Sequence, residues 1–427
     1  NGNITTIGTQ TFGDAVQLNS GVTLATTNNA ILFGNTINSE TSETNGLTLN
    51  TGSGDITFTG AIGNNTQLGA LAVNSTGTTL FTGTVNAASL TTDAGGTTQL
   101  NGNITTTGTQ TFGDAVQLNS GVTLATTNNA ILFGNTINSE TSETNGLTLN
   151  TGSGDITFTG AIGNNTQLGA LAVNSTGTTL FTGTVNAASL TTDAGGTTQL
   201  NGNITTTGTQ TFGDAVQLNS AVTLATTNNA AILLSNTINS ETGETNALTL
   251  NTGSGDITFT GAVGNTVALG ALAVNSTGTT LFTGTVNTAS LTTDAGGTTQ
   301  LNGNITTIGT QTFGDAVQLN SAVTLATTNN AAILLSNTIN SETGETNALT
   351  LNTGSGDITF TGAVGNTVAL GALAVNSTGT TLFTGTVNTA SLTTDAGGTT
   401  QLNGNITTIG TQTFGDAVQL NSGVTLA

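Results

Sequence analysis

The sequence predicts an all-β fold, a right-handed parallel β-helix (β-solenoid) with about five turns in each long repeat. Three observations support this fold class. The chain repeats itself over long distances, a shorter period runs inside each long repeat, and Thr, Asn, Gly and aliphatic residues dominate the composition. A turn of about 19 residues is too small to bury a core alone, so each turn must stack on its neighbours.

The long repeat divides the chain into four units and the start of a fifth. They are residues 1–100, 101–200, 201–301, 302–402 and the partial unit 403–427. The first two differ only at Ile7 against Thr107, and the third and fourth, a variant form with one extra alanine, differ only at Thr207 against Ile308. The partial unit repeats residues 1–25 letter for letter. We therefore expect residues 1–427 to be one continuous solenoid and an interior piece of a longer array.

A period of 19 residues predicts the individual turns. Leu71, Gly77, Phe81, Gly83 and Val85 recur as Leu90, Gly96, Leu100, Gly102 and Ile104. In a parallel β-helix each of these residues would lie over its counterpart, roughly 4.8 Å away along the stack. Gly83, Gly102 and Gly121 would then mark one corner. Because Ala221 replaces the last of these in the variant unit, we expect this corner to tolerate a Cβ.

Extending the same step predicts the remaining turns of a unit. Further turns would begin at Thr109, Asn128 and Leu147. The pairs in register across them would be Phe112 with Ile131 and Leu118 with Ile137. Residues 47–70 are left over as one longer turn, so four turns of about 19 residues and one of about 24 would make the unit.

Short alternating runs predict the strands within each turn. Apolar and polar residues alternate in Leu47-Thr48-Leu49 and in Asp55-Ile56-Thr57-Phe58, and Gly or Asn-Ser separates such runs. No stretch places apolar residues at helical spacing, and Thr, Asn and Gly are poor helix formers. Proline is absent, which suits strands that donate hydrogen bonds along a continuous ladder.

The charge composition excludes several classes of partner. The chain has 21 acidic residues, no Lys, Arg or His, and a formal net charge of −21. Binding to nucleic acid and attraction to anionic lipid both depend on basic side chains, so neither is expected. No apolar run has the length of a membrane span, and we expect no membrane insertion. The chain has no cysteine, so no disulfide framework can form.

Carboxylates are the main candidates for chemistry. Glu40 and Glu43 are the closest pair, and two carboxylates can hydrolyse a glycosidic bond. A solvated acidic turn is the favoured interpretation, because the only aromatic residue type is Phe, at apolar strand positions. We therefore predict no enzyme and no catalytic, cofactor-binding or metal-binding residues.

Calcium is the remaining alternative for a cofactor. The segment Asn50-Thr51-Gly52-Ser53-Gly54-Asp55 is similar to half of a glycine-rich calcium nonapeptide. No acidic residue of the unit recurs 19 residues from another, so we expect no stacked carboxylates and interpret the segment as a structural turn. The acidic positions are Asp14, Glu40, Glu43, Asp55 and Asp93.

Two threonine pairs suggest a surface ladder. Thr78-Thr79 and Thr97-Thr98 lie one predicted turn apart, as in ice-binding solenoids. The next positions in the predicted register are Val116-Gln117 and Asn135-Thr136, so we expect the ladder to break.

Three phrases that recur in every unit carry a resemblance to a known family. They are Ala-Val-Asn-Ser-Thr-Gly-Thr-Thr at 72–79, Ser-Leu-Thr-Thr-Asp-Ala-Gly-Gly-Thr-Thr at 89–98 and Gly-Thr-Gln-Thr-Phe-Gly-Asp-Ala-Val at 108–116. The chain resembles, over essentially its whole length, the β-strand repeats of large bacterial exoproteins of the filamentous haemagglutinin type. The resemblance implies a right-handed parallel β-helix, export by two-partner or related secretion, and a surface or released fibre used in adhesion or community structure.

The expected function is therefore structural: an extracellular or cell-surface fibre or stalk whose partners are identical copies or the continuing array. The alternatives are a multivalent adhesin that binds glycan or matrix through the repeated surface, and a calcium-stabilised solenoid. The scarcity of aromatic residues and the absence of Arg favour the structural role, because such side chains dominate binding energy in interfaces.

Overall fold

The computed structural model describes residues 2–427. They form two compact units, each larger than one of the repeats defined above, and from here on "unit" refers to these two. Unit 1 is Asn1–Thr207 with Phe212–Ala215, and unit 2 is Gly208–Thr211 with Val216–Ala427. Each unit is a β-solenoid of stacked coils with parallel strands, and the described residues contain no helix. The prediction of an all-β solenoid is confirmed.

The strands recur at equivalent positions of every repeat. Strands β1 to β12 are Ile4–Thr6, Gln10–Phe12, Val16–Leu18, Val22–Thr26, Ile31–Phe33, Ile37–Ser39, Leu47–Gly52, Ile56–Phe58, Leu68–Ser75, Thr78–Phe81, Val85–Thr92 and Thr97–Leu100. Strands β13 to β24 are Ile104–Thr106, Gln110–Phe112, Ala115–Leu118, Val122–Thr126, Ile131–Phe133, Ile137–Ser139, Leu147–Gly152, Ile156–Phe158, Leu168–Ser175, Thr178–Phe181, Val185–Thr192 and Thr197–Leu200.

The variant repeats carry the same order of strands. Strands β25 to β36 are Ile204–Thr206, Gln210–Phe212, Ala215–Leu218, Val222–Thr226, Ile232–Leu234, Ile238–Ser240, Leu248–Gly253, Ile257–Phe259, Leu269–Ser276, Thr279–Phe282, Val286–Thr293 and Thr298–Leu301. Strands β37 to β48 are Ile305–Thr307, Gln311–Phe313, Ala316–Leu319, Val323–Thr327, Ile333–Leu335, Ile339–Ser341, Leu349–Gly354, Ile358–Phe360, Leu370–Ser377, Thr380–Phe383, Val387–Thr394 and Thr399–Leu402. Strands β49 to β51 are Ile406–Thr408, Gln412–Phe414 and Ala417–Leu420.

Three columns of paired residues run along unit 1, because the first coil has three strands and each pairs with a strand of the next coil. The first column contains Ile4, Leu24, Leu49, Val73, Thr92 and Phe112. The second contains Gln10, Ile31, Ile56, Thr79, Thr98 and Val116. The third contains Val16, Ile37, Ile62, Val85, Ile104 and Leu124. We call the outward side of each column a face.

The 19-residue register is confirmed where the sequence showed it most clearly. Leu71 pairs with Leu90, and Phe81 pairs with Leu100. Val85 likewise pairs with Ile104. In this part of the repeat the corners are short, so successive coils have the same length.

The extended register is wrong by two residues for both pairs that were predicted from it. Phe112 pairs with Phe133, not with Ile131. Leu118 pairs with Ser139, and Ile137 pairs with Val116 instead. The corners of these coils hold extra residues, which lengthens each coil. Because side chains alternate between faces with a period of two, a two-residue error leaves the inward and outward pattern unchanged.

A continuous stack of phenylalanines fills part of the core. Phe12, Phe33, Phe58 and Phe81 lie in one column, with ring centroids 5.0, 5.3 and 4.9 Å apart. Leu100 continues the stack above Phe81, as the sequence predicted. In the variant repeats Leu234 replaces Phe133, so the stacked ring pair there is Phe259 with Phe282 at 4.8 Å. Each repeat thus places a short stack of large apolar side chains in its core.

The extra alanine of the variant repeats is absorbed in a corner. In the first form of the repeat the hydroxyl of Thr126 donates to the carbonyl of Asn129. In the variant form the hydroxyl of Thr226 reaches one residue further and donates to the carbonyl of Ala230 at 2.7 Å. The strand that follows keeps its pairing, since Ile232 pairs with Ile257 as Ile131 pairs with Ile156.

Carboxylates are confined to the connections between strands. None of the strands contains an Asp or a Glu, so all 21 acidic residues lie in corners and loops. The faces of the sheet columns are therefore uncharged, and the negative charge follows their edges.

Candidate functional site

Aspartates close one corner of the coils by accepting backbone hydrogen bonds. Oδ1 of Asp55 accepts the N–H of Thr78 from the next coil at 2.8 Å. Oδ1 of Asp93 accepts the N–H of Ser75 from the preceding coil at 2.9 Å. The same bonds recur in the other complete repeats. These carboxylates join one coil to the next.

The calcium-like segment is organised by the chain's own donors. The hydroxyl of Thr51 and the hydroxyl of Ser75 both donate to the carbonyl of Gly54, at 2.6 and 2.7 Å. The side-chain amide of Asn74 donates to Oδ1 of Asn50 at 2.7 Å. Within residues 2–427 there is no group of three or more His, Cys, Asp or Glu side chains that could hold a metal ion. The hydrogen bonds of this segment are those of a turn that is tied to the neighbouring coil.

A buried aspartate was not identified from the sequence. Asp114 is 1% exposed; its Oδ1 accepts the N–H of Gly96 at 2.8 Å and its Oδ2 accepts the hydroxyl of Thr98 at 3.0 Å. Burial raises the pKa of this carboxyl, and the charge of Asp93 adds to the increase, whereas the two hydrogen bonds act in the opposite direction. The pKa values of Asp214 and Asp315 are raised for the same reasons.

At this corner Asp93 and Asp114 belong to adjacent coils, and the charge of Asp93 acts on Asp114 although neither carboxyl lies directly above the other. The sequence analysis used a step of 19 residues, whereas these two aspartates are 21 residues apart. The coil is 20 residues long here, because Gly113 donates its N–H to the carbonyl of Thr92 and so follows Asp93 in the stack, and Asp114 comes one residue later. The only feature of the sequence that could have indicated this buried aspartate was the Gly-Asp pair after each Gln-Thr-Phe strand.

Glu40 and Glu43 form an exposed turn, not a cleft. The N–H of Glu43 donates to the carbonyl of Glu40 at 3.2 Å, and Ser42 between them has a φ of 74°. The side-chain amide of Asn45 donates to Oε2 of Glu43 at 3.2 Å and to the carbonyl of Leu18 at 3.0 Å. The structure thus gives the carboxylate of Glu43 a role in ordering its own turn.

A shallow polar groove recurs beside this turn. In the first repeat Gln17, Thr36, Asn38 and Thr41 line it, with a volume of about 350 Å³. Oδ1 of Asn38 accepts the N–H of Asn65 at 2.9 Å and thereby holds one wall. The equivalent grooves of the second and fourth repeats are lined by Gln117, Asn138 and Thr141 and by Gln318, Asn340 and Thr343. Sequence analysis missed the groove, because its walls come from corners whose lengths were unknown.

The threonine ladder forms and then ends. Thr78 pairs with Thr97 and Thr79 with Thr98, as predicted. The next residue above Thr98 is Val116, one position away from the predicted register, and Ala115 lies above Thr97. Thr79 and Thr98 are fully buried. The outward ladder is therefore only one pair long in each repeat.

Comparison with protein-family models, with curated proteins and with solved structures found no match to this chain. Among residues 2–427 no helix has the length and apolar character needed to cross a bilayer.

Proposed function

We propose that this chain is a structural segment of an extracellular fibre or stalk, part of a bacterial surface or secreted exoprotein of the filamentous haemagglutinin type. It performs no catalysis and needs no cofactor. Its coils are right-handed, with about five turns in each repeat. Its partners are further copies of itself or a continuing array of the same coils.

The observation that carries this proposal is the role of the polar side chains in the corners. Asp55, Asp93 and Asp114 accept backbone N–H groups of neighbouring coils. Beside a corner, at the start of its strand, Gln110 donates its side-chain amide to the carbonyl of Ala125 at 2.8 Å. Polar groups in these positions connect one coil to the next. A stack of such coils becomes longer with every added repeat, and this supports a structural role as a fibre or stalk.

Imaging of the native source tests this proposal. Antibodies raised against the repeat should label long filaments at the cell surface or in the medium, and high-resolution reconstruction should show right-handed coils about 4.8 Å apart. Label confined to the cell interior, or compact particles of a single chain, would contradict the proposal.

The recurring groove supports a second candidate function, a multivalent adhesin. The groove beside Gln17 and Asn38 offers amide and hydroxyl groups without a charged residue in its lining, which suits neutral glycans of a host or community surface. Several weak sites on one chain would gain affinity together. A glycan array should then show binding that is lost when this glutamine is replaced by Ala in all four repeats, at Gln17, Gln117, Gln217 and Gln318. The control chain, with Ala in place of Thr44, Thr144, Thr245 and Thr346, should still bind.

A further inference from the structure

The faces of the sheet columns combine three properties that matter for association. They contain no charged residue, they are built from regularly spaced strands, and they carry outward leucines among threonines. Leu32 lies on the second face of unit 1, between Thr11 and Thr57 of the adjacent coils. It is 37% exposed although it belongs to a strand.

The second repeat presents its equivalent leucine on a different face. Thr92 pairs with Phe112, so the strand Gln110–Phe112 continues the first column, whereas its counterpart Gln10–Phe12 belongs to the second. Leu132 accordingly lies above Thr111 on the first face. The second repeat is turned by one column relative to the first.

Unit 2 shows the same turn between its two variant repeats. The column that begins at Val216 passes through Ile238, Val263, Val286 and Ile305 to Leu325. Leu325 is the counterpart of Leu224, not of Val216. The turn by one column is therefore a property of both forms of the repeat.

We propose that the uncharged faces are contact surfaces between copies of this chain, and that the turn between repeats distributes the contacts around the solenoid. Copies then associate in more than one lateral direction and form bundles instead of flat sheets. This inference extends the proposed structural role: single long filaments that never bundle would overturn the inference and leave the structural role intact.

A second copy is the partner whose surface matches these faces best. Its strands have the same spacing along the stack, so side chains of two copies can interdigitate over many coils. Two uncharged faces can meet without burying a carboxylate, which is costly when no basic group is present to pair with it. A partner that lacks this spacing would match only a few coils at a time.

The expected contact area explains why association should be weak for short chains. Strands of about four residues are roughly 13 Å wide, and roughly ten coils in one unit rise by about 48 Å. One face of one unit therefore offers on the order of 600 Å². A standard stable interface uses about 800 Å² of each partner, so contacts must add along the chain or between faces.

Charge placed on the faces tests the proposal. The face variant replaces the outward leucine of each repeat by glutamate: Leu32→Glu, Leu132→Glu, Leu233→Glu and Leu334→Glu. The turn variant adds the same charge in the exposed turns: Thr44→Glu, Thr144→Glu, Thr245→Glu and Thr346→Glu. Sedimentation and light scattering in 0.5 M NaCl should show association of the wild type and of the turn variant that increases with concentration. The face variant should stay monomeric at a concentration at least tenfold higher. Circular dichroism and the melting temperature establish that each variant is folded.

Two results would overturn the inference. A wild-type chain that stays monomeric at every concentration, or a folded face variant that associates as the wild type does, would show that the faces are not contact surfaces. Electron microscopy of sectioned assemblies tests the direction of growth. Bundles several chains across in both lateral directions are expected, whereas flat sheets one chain thick would refute the distribution of contacts around the solenoid.

Discussion

Glycines at one predicted corner meet different surroundings. A Cβ on Gly102 would lie 2.3 Å from the carbonyl oxygen of Gly83, closer than nonbonded atoms can approach. A Cβ on Gly121 would have no atom within 4 Å, and the variant repeat has Ala221 there. The tolerance of a Cβ that was predicted from Ala221 therefore holds at Gly121. It does not hold at Gly102, whose backbone lies against that of Gly83.

Alanine substitutions at these two glycines should have opposite outcomes. Gly102→Ala forces the backbones of two coils apart, and we expect it to destabilise the surrounding coils by about 1–3 kcal/mol. Gly121→Ala should change stability by less than about 0.5 kcal/mol. Hydrogen exchange of the strands Val85–Thr92 and Ile104–Thr106 reports the local free energy of opening in each variant. Equal protection in both would contradict the close approach seen here.

Asp114 has a raised pKa, which makes local stability depend on pH. Its ordinary value is 3.8, and burial raises it in the folded chain, so the folded state binds the proton more tightly than the unfolded state does. The stabilisation from this proton is complete below about pH 3.8 and is lost as the pH rises through the raised pKa. The carboxylate form is the less favourable one in this corner.

Replacing Asp114 by Asn should remove this dependence. The amide introduced by Asp114→Asn is not ionisable, and its oxygen can still accept the N–H of Gly96. This variant should therefore open less readily than the wild type at pH 7 and lose the decline in protection above pH 3.8. The control Glu143→Gln removes the same charge from an exposed turn. Hydrogen exchange near Gly96 measured from about pH 4 to about pH 7 should separate the two variants. A parallel decline in Asp114→Asn and in the wild type would contradict the assignment.

At the scale of the strand, the stacked phenylalanines show how the repeat tolerates variation. Phe133 lies between Phe112 and Phe158, with centroids 5.2 Å from each. In the variant repeat Leu234 occupies the same place and pairs with Phe259 of the next coil. An aliphatic side chain of similar length therefore continues the stack.

Core substitutions at Phe133 should follow the natural variation. Phe133→Leu should lower the free energy of local opening by less than about 1.5 kcal/mol, because the side chain still fills most of the site. Phe133→Ala leaves a cavity and should cost about 3–5 kcal/mol. Thermal melting and hydrogen exchange of Ile131–Phe133 measure both. Similar losses for Leu and Ala would show that ring stacking, not volume, stabilises the column.

Strand pairing could be predicted from the sequence only where corners are short. Leu71 and Leu90 were placed correctly because the intervening corner adds nothing to the 19-residue step. Phe112 was paired with the wrong residue because the corner around Asn128, which has a φ of 54°, holds extra residues. Alternation of apolar and polar residues predicts which side chains face the core, but it does not predict how many residues a corner contains.

For the molecule as a whole, charge is separated from the surfaces that could make contact. The 21 carboxylates lie in the connections, and no basic side chain neutralises them. Fold class could be read from the repeats, since identical units can bury a continuous core only by stacking. The burial of Asp114 and the recurring groove could not be predicted from the repeats, because both depend on which corner residues of neighbouring coils lie next to each other.

Acid should therefore promote lateral association. At pH 7 the formal charge of −21 repels copies from one another, and acid lowers this charge and with it the repulsion. Light scattering at low ionic strength should increase strongly between pH 7 and pH 3. At pH 7, about 1 M salt should act in the same direction because it screens the charges. Bundling that is no greater at pH 3 than at pH 7 would refute the role of charge repulsion.

The corner that absorbs Ala231 has a consequence for how such a gene can change. Repeats of the two lengths pair their strands in the same way, since the added residue lies outside the strands on either side of it. Unequal recombination between copies of the gene segment can therefore exchange or duplicate repeats of either length without disturbing the junctions. Natural populations should accordingly contain mosaic alleles that differ in the number and the order of the two forms.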